Sequence, residues 1–174
     1  MKSIVLPLML ATASCASTPP TTHATAQSVS AASAPLASYR TFSFGDADPP
    51  RAGYEVSAHS LEVQQHLTSL VEAAFVERGY VKSGEGGDLI VKLTSGTAVP
   101  AASPGERTPG VPPQGFIGID VYDRTTGAEV WQGTAFAEIA LDKIDDDLLR
   151  RGVGRMFATF PQRADATAPR AALE

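Results

Sequence analysis

Hydrophobic and polar residues alternate one by one over residues 116–123, with Ile117, Ile119 and Val121 set against Gly118, Asp120 and Tyr122. A period of two sends successive side chains to opposite faces of an extended chain, so this run predicts a strand with one face on a core. Asp123-Arg124-Thr125-Thr126-Gly127 follows, where an aspartate can accept bonds from the amides ahead of it and a glycine can take the positive φ that closes a short loop. A second strand is expected over residues 128–139, with Val130, Trp131, Thr134 and Phe136 as its β-branched and aromatic members. The pair reads as a β-hairpin.

The same alternation marks residues 39–44, which end at Gly45-Asp46 and Pro49-Pro50, and Leu89, Val91 and Leu93 in residues 89–94. Between Ser57 and Gly79 the period becomes 3.6: Val63, Leu67, Leu70, Val71, Ala74 and Phe75 share one stripe, which predicts an amphipathic helix. Ser57 or Ser60 can cap its start, Gly79 can close its end, and Tyr80 is expected to fold back on the last turn. Helical spacing returns over residues 142–160 through Ile144, Leu148, Leu149, Val153, Met156 and Phe160, with Asp145, Asp146 and Asp147 at the positive end of the helix dipole. Gly152 and Gly154 each weaken that helix by about 1 kcal/mol relative to alanine. Residues 96–115 carry Pro100, Pro104, Pro109, Pro112 and Pro113 and show no period, so they are expected to form a long mobile loop, either disordered or used in binding. The expected fold is α+β in the order strand, helix, strand, strand, strand, helix: a four-stranded mixed sheet with two helices on one face. The first crossover makes its two strands parallel if they share the sheet.

A length of 174 residues fits one domain, placed here at residues 39–162. The ends read differently. Met1 to Ser14 has one basic residue, Lys2, an apolar run from Ile4 to Leu10, and then small residues, the order of an export signal too short to span a bilayer. Residues 16–38 are almost wholly Ala, Ser, Thr and Pro, too poor in apolar surface to fold, and as a coil would reach about 25 Å. They are expected to be a flexible tether, and residues 163–174 a disordered tail. Cys15 is the only cysteine, so no disulfide can form within the chain.

Chemistry leaves few traces. The net charge of -5 and the lack of any Lys/Arg cluster argue against nucleic-acid binding. His59, Glu62 and His66 fall at i, i+3 and i+7 on the first helix, a spacing open to a metal but equally the flank of an ordinary exposed face, and no metal site is assigned. Asp120 and Asp123 lie three apart on a strand, hence on opposite faces, so they do not form an acid/base pair. Asp145, Asp146 and Asp147 lack the alternate spacing of a calcium loop and read as helix-capping residues. Gly84-Glu85-Gly86-Gly87 precedes a strand, not a helix, and reads as a turn. With no Gly-x-Ser-x-Gly elbow, no catalytic residue and no cofactor is expected. Trp131 reads as a core anchor beneath a helix, and Tyr122, Trp131 and Phe136 are the candidate contact surface or pocket lining.

Two resemblances add to this. Leu10-Ala11-Thr12-Ala13-Ser14-Cys15 resembles the lipobox of bacterial lipoproteins, with Thr12 where leucine is usual. That resemblance implies acylation of Cys15, and Ala16 in the place of an aspartate implies sorting to the outer membrane. The alternative is a simple secreted protein cleaved near Ala13, with a free thiol. Within the domain, Tyr39-Arg40-Thr41-Phe42-Ser43-Phe44, Glu77-Arg78-Gly79-Tyr80, Asp88-Leu89-Ile90-Val91, Gly118-Ile119-Asp120-Val121-Tyr122-Asp123 and the run from Thr126 to Ala135 resemble, over roughly Tyr39 to Phe160, the bacterial domain-of-unknown-function family numbered 4136. The family implies an envelope lipoprotein and no active site. The expected function is a non-enzymatic interaction or assembly module tethered to the membrane, with another envelope protein or polymer as partner. The alternative is a periplasmic carrier of an apolar or glycan molecule held between sheet and helices.

Overall fold

A computed structural model of the chain describes residues 25–31, 35–84, 86–98, 101–103, 106–107 and 112–163. In chain order the elements are β1 (Thr25–Ser30), a short 3-10 turn (Leu36–Ser38), β2 (Thr41–Phe44), α1 (Ser60–Glu77), β3 (Val81–Lys82), β4 (Leu89–Ala98), β5 (Ala101–Ser103), β6 (Glu106–Arg107), β7 (Gln114–Asp123), β8 (Glu129–Glu138) and α2 (Asp146–Phe157). The expected export signal, Cys15 and residues 164–174 of the expected tail lie outside the described residues.

The four-stranded sheet expected from the sequence is corrected to a six-stranded one, in the order β1-β8-β7-β4-β2-β3. Two strands account for the difference. β1 lies in the segment expected to be tether: Thr25 to Ser30 pairs antiparallel with β8, Thr25 opposite Phe136 and Ser30 opposite Trp131. An edge strand is held by backbone bonds, so a polar strand such as TAQSVS can join a sheet with only Ala26 and Ser28 half-buried. β3 is two residues long and runs parallel to β2 on the other edge. Of the segment expected to be a structureless loop, the described part extends β4 to Ala98, starts β7 at Gln114 and sets β5 against β6 as a separate two-stranded ladder. The parallel pairing across the α1 crossover does occur, between β2 and β4.

The predicted hairpin is β7 and β8, and its turn uses the expected chemistry. Asp123 Oδ1 accepts from Thr125 N at 2.7 Å and Thr126 N at 2.9 Å, while Gly127 sits at φ 68°. A bulge opposite Tyr122 shifts the register between Val121 and Tyr122, and both Val130 and Trp131 are buried there.

Both helices cover one face of the sheet. Phe42, Leu89, Val91, Leu93, Ile119, Val121 and Trp131 form the floor, and Leu67, Val71, Phe75, Val153, Met156 and Phe157 close down on it. Phe75 touches four rings: Phe42 stacked at 4.6 Å, and Tyr80, Phe157 and Phe160 edge-on at 5.5, 5.2 and 5.0 Å. Tyr80 reaches Phe75 because α1 ends as predicted. Gly79 takes φ 86°, its N–H bonds to Val76 O at 2.9 Å, and Tyr80 N bonds to Phe75 O at 3.1 Å, the paired bonds of a Schellman stop. At the other end of the domain Asp145 caps α2 by accepting from Leu148 N at 2.8 Å.

Two carboxylates fasten the chain entering β2. Asp88 accepts from Arg40 N at 2.8 Å and Thr41 N at 3.0 Å, and those amides hold its pKa below the usual 3.8. Asp123 accepts from the Tyr39 hydroxyl at 2.6 Å; this bond lowers the Asp123 pKa and, with burial, pushes Tyr39 from 10.0 up to about 12.

Each aspartate stabilises the fold fully above pH 3.8 and loses that contribution as pH falls from there through its lower folded-state value. Tyr39 works in reverse, its contribution being present below 10.0 and lost as pH rises towards 12. Tyr39→Phe should therefore flatten the alkaline loss of stability and Asp88→Asn the acid loss, read as urea midpoints across pH; unchanged curves would refute the latch. In the core, Phe75→Ala should cost about 3–5 kcal/mol. Val76→Ala, one residue on but 54% exposed, should stay within about 0.5 kcal/mol in the same denaturation experiment.

Candidate functional site

The two layers part at one end of the domain. There the first turn of α1, the first turn of α2, the end of β4, the start of β7 and the chain after β8 surround a cavity of about 430 Å³. Two backbone links and one side-chain contact shape it. Ile139 N donates to Pro113 O at 2.9 Å, tying the chain after β8 to the start of β7. Glu55 and Thr97 exchange both backbone bonds at 2.9 Å, fastening the chain before α1 to the end of β4. Gly115 lets the Ile139 side chain lie across β7, since a Cβ at Gly115 would stand 2.8 Å from Ile139 Cγ2.

The lining is apolar over most of its extent: Val63 from α1, Leu148 and Leu149 from α2, and Ile139, Leu141 and Ile144 from the connection, with β7 contributing at Gly115 and Phe116, whose ring lies on the other face of the sheet. Ser95 and Thr97 of β4 are polar members of the lining, and the others are committed or peripheral. Ser60 Oγ accepts from Ser57 N at 2.7 Å, and Asp145 is the α2 cap. Glu138 and Lys143 are exposed, and the half-exposed His59 lies 3.5 Å from Glu62. Such a volume lies within the range of small-molecule sites, and such walls suit a ligand recognised by shape and apolar area.

The residues singled out in the sequence are placed elsewhere. Trp131 is in the floor of the core at 1% exposure, against Phe157 at 5.3 Å and Phe160 at 5.1 Å. Tyr122 and Phe136 are on the opposite face of the sheet. The Lys92 ammonium stands 5.6 Å over the Tyr122 ring, and Phe136 meets Phe116 at 5.3 Å. Hence Tyr122, Trp131 and Phe136 do not share a surface, and none of them lines the cavity. His66 turns to α2 and bonds Asp146 at 2.6 Å, a staple between the helices, while His59 pairs with Glu62. Among the described residues no three His, Cys, Asp or Glu side chains could hold a metal ion. Asp120 and Asp123 diverge as expected, Asp120 accepting from Gln132 Nε2 at 2.7 Å and Asp123 from Tyr39.

Residues 45–56, which in the sequence mark only a break between elements, form a strap over the outer face. Asp48 meets Lys92 at 3.1 Å, Arg51 stands 5.0 Å over the Phe116 ring, and Tyr54 packs on Phe116 at 5.3 Å and Phe136 at 6.3 Å. The signal for it is present: an aromatic and a cation among prolines have something to cover when the strand opposite carries an outward Phe116. The cavity has no local signal, because its walls come from four separated segments.

Among curated proteins no sequence matches this one. Solved structures are similar to it at low identity. A PDZ domain protein from Parabacteroides distasonis is 13% identical with a TM-score of 0.53, over 78% of this chain and 35% of its own. The chain thus spans about a third of that protein's length. A DUF4136 family protein from Bacteroides thetaiotaomicron is 13% identical with a TM-score of 0.50, over 77% of this chain and 94% of its own. A PelC dodecamer from Paraburkholderia phytofirmans is 10% identical with a TM-score of 0.49, over 81% and 99%. The family model of the domain of unknown function DUF4136 matches residues 27–162, from inside β1 to the end of the core, and the chain belongs to that family.

Proposed function

We propose that this protein is an envelope lipoprotein, held at the outer membrane by a lipid on Cys15, whose domain is a non-enzymatic interaction or assembly module. The observation that carries the non-enzymatic part is the use to which the ionisable side chains are put. Asp88 and Asp123 accept bonds from Arg40, Thr41 and Tyr39, His66 joins α1 to Asp146, and Lys92 holds the strap through Asp48. Groups fixed to structural partners in this way support a scaffold, whereas acid/base work needs a group free to exchange its proton with a substrate. The tether is supported by the order of the leader, basic then apolar then small, ending on the lone Cys15. In this reading the partner is another envelope protein or polymer.

The cavity favours a second reading, a carrier for a small apolar molecule. Its site then lies at the end of the sheet, lined by residues such as Val63, Ile139 and Leu149, and not by the aromatic trio.

The tether is tested by phase partitioning of the full-length protein made in bacteria. The natural chain is expected in the detergent phase and Cys15→Ala in the soluble periplasmic fraction; unchanged partitioning would overturn the lipid anchor. Module and carrier separate on crosslinking in intact cells, where a module yields a defined second envelope component and a carrier stays a monomer.

A further inference from the structure

Chain direction places the cavity relative to the N-terminus. β1 runs antiparallel to β8 with Thr25 opposite Phe136. Thr25 is therefore at the end of β1 nearest Glu138, which lines the cavity. Two residues along a strand cover only about 7 Å. Cys15 stands ten residues before Thr25, a stretch that reaches about 35 Å at full extension and about 17 Å as a coil. Whatever is attached to Cys15 is thus within reach of the mouth of the cavity, and the end of the domain nearest an anchor there is the end that is open.

The walls say what can enter. Val63, Ile139, Leu141, Ile144, Leu148 and Leu149 present hydrocarbon, with Ser95 and Thr97 of β4 beside them, while Glu138 and Lys143 are exposed at the rim. An amphiphile matches this layout, its tail among the aliphatic groups and its head in water. Acidic and basic groups both stand at the rim, Glu138 and Asp145 against His59 and Lys143, so head-group charge gives little selection and chain length gives much.

We infer that this cavity holds the hydrocarbon chain of an acyl lipid, presented to it from the membrane side. The inference rests on the membrane-tethered reading for the source of the lipid but not for the site. Two sources share the chemistry: the acyl group on Cys15 itself, and a lipid of the adjoining bilayer.

The test begins with the full-length chain carrying Cys15→Ala, secreted and purified without detergent, and titrated calorimetrically with straight-chain fatty acids of increasing length. Affinity should rise about threefold to fourfold per added methylene, the increment for burying one CH₂, until the cavity is filled, at one chain per protein. Val63→Trp, which fills the cavity, should weaken binding at least about tenfold. Ala140→Trp, at an exposed position of the lining, does the same with less risk to folding, and Leu61→Ala, exposed on α1 outside the lining, should change nothing. No binding, an affinity independent of chain length, or equal binding by both filled variants would overturn the proposal.

The source is read with the acylated natural chain in vesicles of phosphatidylethanolamine and phosphatidylglycerol doped with a phospholipid bearing a photoreactive acyl chain. Labelling at residues 139–141 identifies a bilayer lipid; labelling there only for the Cys15→Ala chain identifies the protein's own lipid as the occupant. If neither chain is labelled, entry from the membrane is refuted. Should Cys15→Ala leave partitioning unchanged while the chain-length series holds, the anchor fails and the site stands. A shift in partitioning with no fatty-acid binding leaves the anchor standing and removes the site.

Discussion

The aromatic contact at Phe75 is what makes two helices and a sheet into one body. One ring stacks on Phe42 of β2 and takes the edges of Tyr80, Phe157 and Phe160, so the sheet, both helices and the chain beyond each of them meet at a single side chain. Trp131 extends the cluster from β8, packed on Phe157 and Phe160. Its indole N–H is buried with no acceptor among the described residues, so Trp131 acts there through area and shape alone. A core concentrated at the closed end of the domain leaves less to fill the other end. There the helices begin on small and polar residues, Ser57, Ser60 and Asp145, and the layers separate around the cavity.

Legibility follows the range of the interactions. The hairpin, the α1 stripe, the Gly79 stop and the Asp145-Asp146-Asp147 cap are decided within a few residues, and all are visible in the pattern. Ser57 and Ser60, expected as caps, instead bond each other, with His59 at the N-cap. β1 is not legible, because a polar edge strand owes its place to the backbone of β8 and carries no apolar period. Nor is β3, where two residues cannot show a period at all. The strap is half legible: Tyr54 and Arg51 are visible, but their target on the outer face depends on which way Phe116 points, and that is a property of the sheet.

The candidate site is the least legible part. Residue type alone suggests the aromatic trio, and the bulge and strand parity send Trp131 to one face and Tyr122 and Phe136 to the other. Residue type says what a side chain can contact; only register says on which side. The cavity draws on Val63, Ser95, Phe116, Ile139 and Leu148, positions spread over most of the domain. These become neighbours once the parallel β2–α1–β4 crossover and the antiparallel hairpin bring both helix N-termini to the same end of the sheet.

The placement of β1 has a mechanical consequence. The strand is on the rim of the sheet, paired in the sheet with β8 alone, and its first pair is Thr25 with Phe136. Tension drawing the chain ahead of Thr25 away from the rim loads the pairs in sequence, as a zipper, and not together in shear. The resistance to such peeling comes from the far end of the strand, where Ala31 N bonds to Val130 O at 3.1 Å, and from the Ser28 hydroxyl against Thr159 at 2.5 Å. The domain thus meets a pull on the chain ahead of Thr25 with its weakest geometry, and the aromatic core, anchored on strands further in, feels that pull last.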